Sequence, residues 1–226
     1  MVVPRLTGFT LACLALVLIT AVGASAVTIY TTPSSDGYVF YHYWDVASQG
    51  ANAVGDYAYV IDGEHLGGST YERWIGKGIF QFPISSLSGV TLSPNSVKLH
   101  VYFQPNTTVS SVQLSGFNYD GGGTIVYSQT SGARTFICSM VPTASTWWQV
   151  DVTADLQRQI NAGYNWAGFY FTTPYDEAVL GWKSARISTY EDGAHRPYLD
   201  VVPEPSSLLA LGSGLIALCG ALRKRK

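Results

Sequence analysis

The 226-residue sequence holds few of the spacings by which side chains do covalent chemistry. His-Glu-x-x-His, Gly-x-Ser-x-Gly, Gly-x-x-x-x-Gly-Lys-Ser/Thr and Cys-x-x-Cys are all missing, so zinc hydrolysis, serine hydrolysis, a phosphate cradle and dithiol chemistry have no local signature. Asp120-Gly121-Gly122-Gly123 shares only its glycines with a phosphate loop. No Lys-Ser/Thr and no helix start follow it, and it reads as a turn. Asp62-Gly63-Glu64-His65 is the densest group able to ligate a metal, but its spacing fits neither an EF-hand nor a zinc template; a solvated turn is the simpler reading. Cys138 is the sole cysteine between residues 27 and 202, which excludes a disulfide there. Its setting, Thr135-Phe136-Ile137-Cys138, is apolar and strand-like, so it reads as a small buried hydrophobe rather than a nucleophile. His100 is expected to point off a strand toward solvent, and His195 to lie in a loop. An enzyme would need two carboxylates, or a Tyr/His pair, converging in a cleft. The chain reads as non-catalytic.

Aromatic side chains are abundant instead: 6 Trp, 15 Tyr and 9 Phe. All the Trp and Tyr lie between residues 27 and 202. A flat ring stacks on the apolar C–H face of a pyranose while nearby polar groups bond its hydroxyls. The run Tyr38 to Trp44 must expose one side if it is a surface strand, and Trp147 alternates with Trp148, so only one of them faces the core. Tyr175, Trp182 and Tyr190 lie near predicted loops. Trp44, Trp147, Tyr175 and Trp182 are the candidate stacking rings, with core packing the default for any one ring.

These residues are carried by short alternating segments. In Val97-Lys98-Leu99-His100-Val101-Tyr102-Phe103 the apolar set faces one way and the polar set the other, the mark of a half-buried strand. Similar readings hold for 37–44, 57–61, 74–82, 111–117, 124–127, 147–152, 166–172 and 197–202. Gly, Asn, Asp, Ser and Pro clusters separate them. One helix is predicted over 153–163, with Thr153 as its cap, Asp155 in its first turn, Leu156 and Ile160 on one face, and Gly163 at its end. The pattern predicts an all-β, antiparallel, jelly-roll-like sandwich over 27–201 with one short helix covering an edge or open end. Residues 27–202 hold 14 acidic and 8 basic side chains, a net of −6. No basic stripe is present to grip phosphates, so no nucleic-acid partner is expected.

The two ends address the chain elsewhere. Residues 1–26 place Arg5 before an apolar run and close on Ala24-Ser25-Ala26, the layout of a secretory signal peptide cut after Ala26. An uncleaved N-terminal anchor helix is the alternative. Residues 202–226 read Val202, Pro203-Glu204-Pro205, an apolar stretch over 206–222, then Arg223-Lys224-Arg225-Lys226. That stretch is near the lower end of the roughly 17–25 residues that span a bilayer, and its basic end would stay cytoplasmic.

This tail resembles the PEP-CTERM sorting signal, on Pro203-Glu204-Pro205, Ser206-Ser207-Leu208-Leu209, Gly212-Ser213-Gly214 and the basic cluster, with a plain tail anchor as the alternative. The resemblance implies recognition by an exosortase-type enzyme, removal near the Pro-Glu-Pro motif, and delivery to the cell surface or the extracellular polysaccharide matrix. A second resemblance runs over most of 36–201. Phe80-Gln81-Phe82-Pro83-Ile84, Trp148-Gln149-Val150-Asp151-Val152-Thr153, Asn165-Trp166-Ala167-Gly168-Phe169, Trp182-Lys183-Ser184 and Arg196-Pro197-Tyr198-Leu199 are similar to DNRLRE, or disaggregatase-related, β-sandwich domains grouped with carbohydrate-binding modules. Pro83 departs from the Asp usual there, and Lys77 from an Arg. Modules of this kind often hold a structural calcium, for which Asp36, Asp151 and Asp192 are the candidate ligands; no other cofactor is expected. Three functional readings follow: a non-catalytic module that binds or organises polysaccharide, a structural or adhesion matrix protein without a glycan pocket, and a polysaccharide-degrading enzyme.

Overall fold

Along Val97–Phe103 buried and half-buried side chains take strict turns, as an alternating sequence requires when one face of a strand meets a core. The computed structural model describes residues 26–44, 46–52, 55, 57–67, 70–174 and 183–202, with the side chains of 42–44, 46–49, 62–67, 70–73 and 130 outside that description. Over these residues the strands are β1 Val27–Tyr30, β2 Asp36–Trp44, β3 Val46–Asn52, β4 Tyr57–Gly67, β5 Thr70–Pro83, β6 Val97–Phe103, β7 Val112–Phe117, β8 Arg134–Met140, β9 Thr146–Asp151, β10 Trp166–Thr172, β11 Ser184–Ser188 and β12 Tyr198–Val201. All their pairings are antiparallel. Residues Val27–Val201 make up one compact unit.

The strand order is β1-β12-β6-β11-β4-β5-β10-β7-β8, with β2 and then β3 beside β5, and β9 beside β6. The long strand β5 is the hub. Its register pairs Thr70–Gly76 with β4, Gly78–Pro83 with β10, and Glu72–Phe80 with β2. Phe80, Phe82, Phe169 and Phe171 from this region pack in one cluster with Val97, Leu99, Val101 and Phe103 of β6, so strands distant in the order share one core. All of these side chains are buried, and each contributes about 1.5–3 kcal/mol. On the other face of β5 and β10, a smaller cluster joins Val39, Ile79, Phe117, Ile125 and Tyr170. Cys138 is half-buried against the main core, and burial pushes its thiol up.

Helix α1 spans Thr153–Asn161 and packs on β6, β7 and β10. Thr153 is not its cap. The Asp151 carboxylate accepts the Thr153 N–H at 2.9 Å, and the Thr153 hydroxyl instead accepts the Val97 N–H at 2.9 Å, tying the helix start to β6. Gly163, at φ +76°, ends the helix by donating to the Ile160 carbonyl. Asp155 is buried within the first turn and bonds Arg158 at 2.6 Å and Gln159 at 2.7 Å.

Three expectations need correction. Residues 124–127 form no strand, because the Gln129 side chain accepts the Val126 N–H and donates to the Gly121 and Thr124 carbonyls, consuming locally the groups a ladder would use. Asp62-Gly63-Glu64-His65 is not a turn but part of β4, paired with Ile75 through Glu72 of β5. Strands β1, β3 and β11 were not foreseen, since Val46–Asn52 and Ser184–Ser188 carry too few apolar residues to alternate visibly. Among the described residues no helix is long and apolar enough to cross a membrane. The tail helix expected over 206–222, the processing residues Pro203, Glu204, Pro205 and Arg223 to Lys226, and Ala24 lie outside the described residues.

Candidate functional site

Of the predicted stacking rings, Trp147 is the one whose side chain is described. Trp44 has only its backbone described, in β2, and Tyr175 and Trp182 lie outside the described residues. Trp147 is 40% exposed while Trp148 packs against the core, as their alternation on β9 requires. Trp147 stands edge-on to Tyr102 at 5.6 Å and to Tyr198 at 5.7 Å. His195 stacks on Tyr102 at 3.9 Å, and His100 stacks on Tyr198 at 4.3 Å with the planes 7° apart. His100 therefore does not simply point to solvent: it is half-buried, burial lowers its pKa although Asp200 pulls the other way, and its Nε2 makes no hydrogen bond. This patch is a continuous ring surface on β6, β9 and β12, closed by its own edge-to-face and stacked contacts.

The predicted calcium ligands do not converge. Asp151 pairs with Lys98 at 3.1 Å and accepts the Thr153 N–H at the start of α1. Asp192 accepts from the Ser188 hydroxyl and lies 3.2 Å from His195 Nδ1. Asp36 is fully buried and accepts the Tyr190 N–H at 2.8 Å. Among the described residues no group of three or more His, Cys, Asp or Glu is placed to hold a metal ion.

A second aromatic surface takes in Tyr38 and Phe40 of the run expected to expose one side, joined by rings that no spacing in the sequence connects to them. Tyr38 and Phe40 of β2, Tyr59 and Ile61 of β4, Trp74 and Gly76 of β5, and Ser184 and Arg186 of β11 line a groove of about 380 Å³, within the roughly 300–1,000 Å³ range of small-molecule sites. Four rings run along it in succession, and Tyr57, outside the lining, extends the row. Tyr57 meets Tyr59 edge-on at 4.9 Å, Tyr59 meets Tyr38 edge-on at 5.5 Å, Tyr38 lies 6.1 Å from Phe40, and Phe40 lies 6.0 Å from Trp74 at 32°. Burial, with help from Tyr57, pushes the Tyr59 phenol up. The Arg186 guanidinium closes the row, 4.8 Å from the Tyr57 ring and 5.1 Å from the Tyr59 ring. Alternation explains the placement: Ala58 and Val60 enter the core and turn Tyr57 and Tyr59 outward, as Ala185 and Ile187 do for Arg186. Gly76 keeps the floor open.

A wider cleft, about 770 Å³, lies between α1 and β8, lined by Leu92, Pro94, Phe136, Ile137, Val152 and Arg158 among others. Among the described residues its only ring is Phe136, 59% exposed, which by itself makes no stacked platform.

A search of curated proteins finds no match. The resemblance of residues 36–201 to DNRLRE domains rests on the sequence motifs alone. Residues 201–226 match the PEP-CTERM protein-sorting motif, which marks the chain for export and cell-surface sorting by an exosortase-type system.

Proposed function

We propose that this chain is a non-catalytic protein of the cell surface or extracellular matrix whose β domain, a two-layer sandwich, binds extracellular polysaccharide in the Tyr38–Trp74 groove. The observation that carries this reading is the row of five rings ending on a guanidinium. Rings supply flat apolar area for sugar C–H faces, and the tyrosine hydroxyls and Arg186 supply donors for sugar oxygens. No carboxylate, histidine or cysteine is among the described residues lining the groove, which supports binding over hydrolysis. The sorting motif supports the matrix setting. Strand β1 begins at Val27, the residue that signal-peptide removal after Ala26 would expose, and this supports export through a cleaved leader.

The test is affinity electrophoresis of the full chain in mild detergent against a polysaccharide panel, beside Phe40→Ala and Trp147→Ala, with circular dichroism to confirm folding. Saturable binding should weaken about 2- to 10-fold in Phe40→Ala and stay unchanged in Trp147→Ala. Loss in Trp147→Ala alone would move the site to the ring patch on β9. Absence of binding by the folded protein would leave a structural matrix protein.

A further inference from the structure

We infer that the groove selects carboxylated sugars, with Arg186 as the residue that reads the carboxylate. The inference rests on the groove being the glycan site and concerns which glycans enter it. Arg186 is the one charged side chain among the described residues lining the groove. It is half-buried, and no carboxylate pairs with it among the described residues. Its Nε–H is buried and makes no hydrogen bond within the protein. A buried donor without a partner is costly, and a ligand acceptor at the groove would remove that cost.

The rings determine how the guanidinium is offered. The Tyr57 and Tyr59 rings lie 4.8 and 5.1 Å from the guanidinium Cζ and hold the planar fork of N–H groups at the groove. That planar fork matches the two oxygens of a carboxylate, which an ammonium or a tyrosine hydroxyl cannot match. The contrast with the rest of the unit sharpens the assignment. Residues 27–202 carry a net of −6, so a polyanion is repelled by the surface at large and needs a local cation to enter. At the far end of the row, Phe40 and Trp74 bear no charge and fit the C–H face of a sugar ring. A uronic acid combines both chemistries in one residue.

The experiment uses the full chain in mild detergent with polygalacturonate, alginate and hyaluronate, each native and carboxyl-reduced, plus dextran sulfate. The expected result is capture of at least one native polymer about 10- to 100-fold more tightly than its reduced form. Arg186→Gln should weaken native binding far more than binding of the reduced polymer and so erase most of the ratio between them; Arg186→Lys should recover only part of that ratio. Equal binding of native and reduced polymers, an unchanged ratio in Arg186→Gln, or equal capture of dextran sulfate would overturn the inference while leaving the groove as a glycan site. Failure of the folded protein to bind any polymer, native or reduced, would overturn both. Binding that ignores Phe40→Ala but follows Arg186 would show charge capture without a sugar groove, and would overturn both as well.

Discussion

Gly76 and Ile61 are paired across β4 and β5 so closely that a Cβ on Gly76 would come within 2.6 Å of Ile61 Cγ2 and 3.2 Å of the Tyr59 carbonyl oxygen. The absent side chain lets β4 close on β5 and leaves the groove floor clear beneath Tyr38 and Trp74. Gly76→Ala should therefore do two things at once. Ile61 is β-branched and stiff, so the strands must part, at a cost of about 1–3 kcal/mol. The added methyl also intrudes on the ligand. A urea titration should show a lower midpoint at unchanged slope, and glycan retardation should fall at urea concentrations where the variant is fully folded. Retention of both properties would mean that the strands have slack at this crossing.

A comparable approach governs the helix. A Cβ on Gly116 of β7 would lie 1.9 Å from Asp155 Oδ2, so the carboxylate rests on the bare backbone of the strand. There it holds Arg158 at 2.6 Å, and Arg158 reaches on to the Phe117 carbonyl at 2.7 Å. Gly116→Ala would force the carboxylate out of this arrangement. Asp155 is buried and Arg158 half-buried, so taking the carboxylate from its donors costs about 1–3 kcal/mol, a large share of a small domain's stability. Poor folding is expected for Gly116→Ala, with Ser115→Ala next to it within about 0.5 kcal/mol of wild type. A stable Gly116→Ala would show that Asp155 can swing to solvent without loss.

At the N-terminus of α1, burial alone would raise the Asp151 carboxyl, but the Thr153 N–H, the Thr153 hydroxyl and Lys98 together bring it below 3.8. A carboxylate whose folded pKa is depressed adds stability above its unfolded pKa and loses it as pH falls through the folded value. Asp151→Ala should cost about 1 kcal/mol at pH 7, as the loss of a part-exposed hydrogen bond to a backbone N–H does. The gap between the two proteins should close below pH 3.8, as wild-type Asp151 takes up its proton. Thermal melts at neutral and acid pH would show this, and a gap that persists at low pH would assign Asp151 a packing role instead.

Strands with a strong apolar signal of their own are legible in the sequence: the alternating Val97–Phe103 and the apolar run Trp166–Thr172, buried on both faces at its centre, stand where the reading places them. The groove is not, because Tyr38, Tyr59, Trp74 and Arg186 come from four strands and meet only through pairing of β5 with β2 and β4, and of β4 with β11. Alternation says which face a ring takes, and nothing about which distant ring shares that face. Tyr57 and Tyr59, two residues apart and therefore on one face of their strand, are the local signal in the sequence for one end of the row. The misreading of 124–127 has a different origin. Ile125 and Tyr127 alternate like a strand and do pack on an apolar cluster, but the Gln129 side chain, which no periodicity registers, takes the backbone bonds.

Asp36, where β2 begins, gives the sharpest pH prediction. It is fully buried, and burial pushes its carboxyl from 3.8 to about 7. The Thr31 hydroxyl lowers it, Glu191 raises it and the Tyr190 N–H lowers it, each by less than burial does. Its Oδ1 makes no hydrogen bond, so the charged form is poorly compensated. In the unfolded chain the same group titrates near 3.9, so from about pH 4 to pH 7 the folded protein holds one proton more than the unfolded one. Stability from this group is therefore full below about pH 4, declines as pH rises to about 7, and is level above that. Moving from 3.8 to about 7 corresponds to at most about 4 kcal/mol. Asp36→Asn keeps an oxygen for the Tyr190 N–H, places an amide beside the Thr31 hydroxyl and does not titrate. It should match wild type near pH 4 and exceed it by about 1–4 kcal/mol at pH 8, read from urea midpoints at constant slope. A difference between the two proteins that does not vary with pH would mean that Asp36 stays charged in the fold, and that a compensating cation sits at Oδ1.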